Sequence, residues 1–146
     1  MLKRRILSVL LVLAMLVPFA GAAQTAQDNM RGVWVASVAN IDYPSSAGMT
    51  AQALAAEADT MLDNIAAMGL NTVFLQVRPS ADALYRSGLF PQSRYVSGTC
   101  GASPDGGFDV LAYWVEGAHE RGLQLHAWIN PYRITRNGRE ELDALP

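Results

Sequence analysis

The sequence predicts an α/β fold: a (β/α)8 barrel of the TIM type, of which only the first three or so βα units are present. Three observations predict it. Strand-like and helix-like segments alternate in the order β-α-β-α-β, which calls for parallel strands joined by helical crossovers. The two helix-to-strand joints, Met68-Gly-Leu-Asn71 and Arg121-Gly-Leu-Gln124, have the same form. Each strand carries aromatic or polar residues on one face, as barrel strands do where they reach an active-site mouth.

The first strand is expected over Gly32–Val38, a run rich in β-branched residues with Trp34 in it. After the polar loop that begins at Asn40, Thr50 is a good N-cap. From Ala51 to Met68 the larger apolar residues Leu54, Met61, Leu62 and Ile65 recur at helical spacing, with Ala58 between them. Gly69 ends that helix as a residue free to take positive φ. The second strand is Asn71–Arg78, with Val73, Leu75 and Val77 on one face and Phe74, Gln76 and Arg78 on the other. A long connection, Pro79 to Gly107, follows; irregular stretches of that length are uncommon and often functional. Asp109 caps a second helix whose apolar face holds Leu111, Trp114, Val115 and Ala118, and Gly122 closes it. Leu123–Asn130 is the third strand, with His126, Trp128 and Asn130 alternating against Leu125, Ala127 and Ile129.

The same order of elements fits an open doubly wound sheet. Two features weigh against it. The first strand-to-helix turn lacks the G-x-G-x-x-G pattern of dinucleotide-binding sheets. A doubly wound strand is apolar on both faces, whereas the third strand here is polar and aromatic on one. A complete barrel takes about 250 residues, so the 146 residues are expected to form its N-terminal part, over 31–146, truncated before closure and inactive alone.

Residues 1–23 read as a secretory signal peptide. Lys3, Arg4 and Arg5 precede an apolar run from Ile6 to Leu16, and Ala20-Gly-Ala-Ala23 supplies the small residues before cleavage. The run is shorter than the about 20 apolar residues of a bilayer span, so no stable membrane span is expected after cleavage. Residues 24–30 are polar and read as a flexible mature N-terminus. The leader holds three of the 11 basic residues and none of the 13 acidic ones, which leaves the mature chain at a net charge of −5. That balance argues against nucleic acid as a partner. An exported chain belongs outside the cell, in the periplasm or in the envelope. Cys100 is the only cysteine; it admits no intrachain disulfide and reads as a tolerated loop thiol.

The barrel reading places Trp34, Gln76, Arg78, His126, Trp128, Asn130, Tyr132 and Arg133 around one mouth. This set suits sugars. Aromatic rings offer apolar faces with polar tips, and Arg, Gln, Asn and His offer directed hydrogen bonds to hydroxyls and carboxylates. Each residue has a plainer reading too. Trp34 and Trp128 can fill the barrel interior, and Gln76 and Asn130 can satisfy backbone groups at strand ends. Arg78 can pair with Asp82, and His126 can be a satisfied core histidine. No cluster has metal-ligand spacing, and neither a metal nor a cofactor is expected. Glycoside hydrolysis usually needs two flanking carboxylates. Asp42 and Asp82 follow strands and could reach the mouth, while Asp105 reads as a turn residue and Asp109 as a cap.

Several segments together resemble the glycosyl-hydrolase-like family 10 domain. They are Arg31-Gly-Val-Trp-Val35, Gly69-Leu-Asn-Thr-Val-Phe-Leu-Gln-Val-Arg78, Ala83-Leu-Tyr85, Phe108-Asp-Val-Leu111 and the block from Ala118 to Arg133. The resemblance implies a (β/α) barrel and an envelope glycoside hydrolase acting on peptidoglycan-type glycan strands, a polysaccharide partner. The family's acidic strand-end motif has no counterpart in this chain, so the catalytic acids are expected downstream and none is assigned here. The alternative is a non-catalytic envelope glycan-binding protein on the same fold, since a fold does not fix a function.

Overall fold

A computed structural model describes residues 29–135 and 143–144. The expected leader and most of the expected flexible N-terminus lie outside the described residues. Three strands, β1 (Gly32–Val35), β2 (Thr72–Arg78) and β3 (Gln124–Ile129), form one parallel sheet in the order β1-β2-β3. Trp34 stands beside Phe74 and Phe74 beside His126, so these residues share one sheet face.

The first helix, α1 (Ala51–Ala67), begins at Thr50, whose hydroxyl accepts from the Ala53 N–H. It turns Leu54, Ala58, Leu62 and Ile65 inward. The connection after β2 contains a single-turn helix, α2 (Arg94–Ser97). The last helix, α3 (Val110–Glu120), starts at Asp109, whose carboxylate accepts from the Ala112 N–H at 3.0 Å. It buries Val110, Trp114, Gly117 and Ala118. Both α1 and α3 pack on the sheet face that carries Val35, Val73, Leu75 and Val77, and these residues form one core. Outside the core, Arg121 ties the helices together, with Nε 2.6 Å from Asp63 and Nη2 3.1 Å from Asp59.

The two helix-to-strand joints are alike in space as in sequence. Gly69 and Gly122 take φ of +73° and +69°, which costs a glycine nothing. In each joint the following leucine N–H returns to the helix, Leu70 to the Ile65 carbonyl and Leu123 to that of Ala118. The strands then start in step: Asn71 N–H donates to Arg31 O, and Gln124 N–H to Asn71 O.

The structure departs from expectation in two places. The first strand ends at Val35, not Val38. Asp42 competes for the backbone, its carboxylate accepting from the Ala36 N–H at 2.8 Å while the Ala36 carbonyl accepts from Asp42 and Tyr43. The chain then enters a 3-10 turn at Val38–Asn40. The long connection after β2 is also more ordered than a loop. Ala83 bridges Gln92, and Leu84 and Val96 join the main core. Asn40 fastens α2 to the first turn through its amide, which donates to Tyr95 O at 2.7 Å and Pro44 O at 2.8 Å.

Among the described residues, β1 and β3 each pair only with β2, so both outer edges are open. Trp34 and Ile129 are half or more exposed. Open parallel edges beside apolar surface template further pairing. This 146-residue chain, expressed alone, is therefore expected to self-associate in sedimentation. A soluble monomer with a sharp two-state melt would contradict that expectation.

Candidate functional site

The C-terminal ends of the three strands and the connections that leave them form one side of the molecule. On the open sheet face Trp34 stacks on Phe74, with ring centroids 4.6 Å apart and planes 15° apart. Trp128 meets Trp34 edge-on at 5.2 Å, and His126 lies 5.2 Å from Phe74 on the other side. Offset and edge contacts of this kind are the favoured aromatic geometries. Gly32 makes the platform possible, because a Cβ there would stand 2.7 Å from the Phe74 ring. The sheet register sets two levels: Trp34, Phe74 and His126 share the lower one, while Gln76 and Trp128 share the next, toward the strand ends.

Above the platform lie the polar groups. The Gln76 side-chain oxygen accepts from both the Ser37 and Val38 N–H groups at 3.0 Å, and Ser37 Oγ donates to the Gln76 carbonyl. Gln76 thus clamps the turn that leaves β1. Asn130 does the same between strands: its amide nitrogen donates to Pro79 O at 3.0 Å, and its side-chain oxygen accepts from Trp128 Nε1 at 3.1 Å. Gln76 thus meets backbone groups with its side-chain oxygen, and Asn130 with its amide nitrogen.

Arg78 owes its direction to a β-bulge. The register with β3 shifts between Gln76 and Arg78, so Arg78 stands opposite Ile129, out of the alternation that precedes it. A bulge bends its strand and re-aims the residue beyond it. The Arg78 guanidinium carbon lies 4.0 Å from the centre of the Phe90 ring, a cation–π contact with the long connection. Its Nε is buried without a hydrogen-bond partner. Tyr132 is 95% exposed and Arg133 is exposed, both just past β3.

The chain matches the model of the glycosyl hydrolase-like 10 family over residues 29–145. It belongs to that family. It is 46% identical over 121 residues to the glycosyl hydrolase YngK of Bacillus subtilis, covering 83% of this chain and 23% of that protein. It is 36% identical over 136 residues to the glycosyl hydrolase DigH of Escherichia coli, covering 85% of this chain and 30% of that protein. The chain thus spans less than a third of the length of either relative.

In this family member the three acids Asp42, Asp82 and Asp109 accept from backbone N–H groups. Asp42 holds the Ala36 N–H, and the buried Asp82 accepts from the Ser80 N–H at 2.9 Å. Asp109 caps α3 with one oxygen and takes the Arg86 N–H with the other. Among the described residues no group of three or more His, Cys, Asp or Glu could hold a metal, and no helix is long and apolar enough to cross a membrane. Away from the mouth, burial pushes the Tyr43 phenol upward, and the hydrogen bond to Asp59 raises that of Tyr113.

Two residues of the site were not singled out from sequence. Phe74 sits at the centre of the aromatic stack and follows the same alternation as Gln76 and Arg78, so the strand pattern contained it. Phe90 carries no local signal, because its contact with Arg78 spans the long connection.

Proposed function

We propose that this chain is the N-terminal part, over residues 31–146, of an exported envelope glycoside hydrolase. It acts on peptidoglycan-type glycan strands and lines the substrate side of a (β/α)8 barrel. The observation that carries the reading is the convergence of an aromatic platform and directed polar groups at one end of three parallel strands. Rings of Trp and Tyr cover the apolar faces of sugars, and amides and guanidinium groups meet their hydroxyls and carboxylates. Trp128, Tyr132, Arg78 and Arg133 are the groups closest to the strand ends and contact the glycan. Trp34 and His126 form the floor beneath them. Gln76 and Asn130 hold the rim.

The acid pair that glycoside hydrolysis requires is supplied by the rest of the barrel. Residues 1–23 direct export and are cleaved. The deciding experiment incubates the full-length gene product with peptide-free peptidoglycan glycan strands and measures new reducing ends. Their appearance supports the hydrolase. Saturable binding without new ends supports the alternative, a non-catalytic envelope glycan-binding protein.

In this reading Arg78 and Arg133 meet the lactyl carboxylate of muramic acid. A charge-assisted hydrogen bond contributes about 1.5–3 kcal/mol. Replacing either arginine with Met is therefore expected to weaken binding to the peptidoglycan glycan roughly ten- to hundredfold. Chitin oligomers, which lack the lactyl group, should lose far less. Equal losses on the two polymers in titration calorimetry would sink the carboxylate role.

A further inference from the structure

The connection after β2 encloses a pocket of about 200 Å³, lined in part by Tyr85, Arg86, Ser87, Phe90, Gln92 and Ser103. It adjoins the mouth through Phe90, whose ring also carries the Arg78 guanidinium. Its walls are fixed. Ser87 Oγ accepts from the Leu89 and Phe90 N–H groups at 3.1 Å each, which sets the Phe90 ring. Arg86 is pinned by its Nη2, which donates to Gly107 O at 2.9 Å. Gln92 is held by its backbone, bridged to Ala83 and accepting from the Gly101 N–H at 2.8 Å.

One group in this wall is unaccounted for. The Gln92 Nε2 is buried and has no hydrogen-bond partner. Leaving a buried donor unpaired costs about 1–3 kcal/mol, and a leucine or methionine at this position would avoid the cost. The terminal torsion of a glutamine is soft, so the amide can turn into the pocket when an acceptor arrives. Among the described residues the lining contains no carboxylate. It offers N–H and O–H donors beside the Tyr85 and Phe90 rings, and its size suits one ring of a chain more than a whole drug-sized ligand.

We propose that this pocket is a sugar subsite, outward of Arg78, that takes the acetamido group of an amino sugar, with Gln92 Nε2 donating to the acetyl carbonyl and the acetyl methyl lying against Phe90. This rests on the reading of the mouth as glycan-binding and adds to it a residue that selects acetylated amino sugars over plain hexoses. An amide carbonyl is a strong acceptor, and the methyl group beside it matches an apolar ring. A hexose presents only a hydroxyl at that position and leaves the ring uncovered.

The test compares β-1,4-linked N-acetylglucosamine oligomers with β-1,4-linked glucose oligomers of equal length, titrated into the full-length gene product and into Gln92→Met. The wild type is expected to prefer the acetylated series. Gln92→Met should lose about tenfold on the acetylated series and little on the glucose series. Its Tm should hold or rise, because the substitution removes an unpaired buried amide. Unchanged affinity for the acetylated series, or equal losses on both, overturns the subsite. If Arg78→Met weakens peptidoglycan binding while Gln92→Met changes nothing, the glycan reading stands and only the acetamido subsite falls. If the wild type binds no glycan at all, both fall.

Discussion

Gln76→Leu is expected to destabilise the full-length gene product by about 2–6 kcal/mol, because it orphans two backbone donors, each worth about 1–3 kcal/mol when left unpaired. The donors are the Ser37 and Val38 N–H groups, and Ser37 is fully buried. The leucine fills the space but cannot accept, so the turn leaving β1 must find water or move. Gln76→Glu keeps an acceptor at the same distance and should recover much of the loss near neutral pH. Urea unfolding midpoints for the three proteins check this. A leucine variant within about 0.5 kcal/mol of wild type, the range of ordinary surface substitutions, would mean that the clamp does not hold the turn.

Trp114→Ala is the second large effect. Trp114 is fully buried at the junction of α3, α1 and the first connection, and it meets the Tyr43 ring edge-on with centroids 4.9 Å apart. Emptying such a site costs about 3–5 kcal/mol. Tyr43 would lose its ring partner while its hydroxyl stayed tied to Leu54 O at 3.1 Å, so the connection above β1 should loosen along with the core. Trp114→Phe is expected to cost much less. It keeps a ring in the buried site beside Tyr43. Denaturant unfolding of the two variants separates these outcomes, and equal losses would show that volume is not what Trp114 supplies.

What sequence made legible here is what local chemistry determines. Thr50 and Asp109 cap helices because a short side-chain oxygen satisfies an N–H three residues on. Gly69 and Gly122 close them because the backbone must turn left-handed there. The sheet faces followed from alternation alone. The missed features depend on residues far apart in the chain. β1 stops early because Asp42 reaches back to Ala36 and Gln76 reaches across from the neighbouring strand. The bulge that re-aims Arg78 exists only in the pairing of β2 with β3. The ring that Arg78 rests on lies 12 residues along the chain, in a segment whose sequence reads as an ordinary turn-rich loop. For the candidate site, the residue types and their common end of the sheet were readable, but the division between groups free to touch a ligand and groups holding the rim was not.

The two glycine joints also bear on how such a protein can diverge. They sit at the rim opposite the mouth, and the hydrogen bonds that start β2 and β3 in step run between backbone atoms of Arg31, Asn71 and Gln124. Alignment of the strands at this rim rests on the backbone and on the Arg31 and Asn71 side chains, which bond Gly69 O and the Arg31 N–H. The parts of the segment after β2 that lie outside the core residues Leu84 and Val96 could therefore change in length or sequence while the strands keep their register.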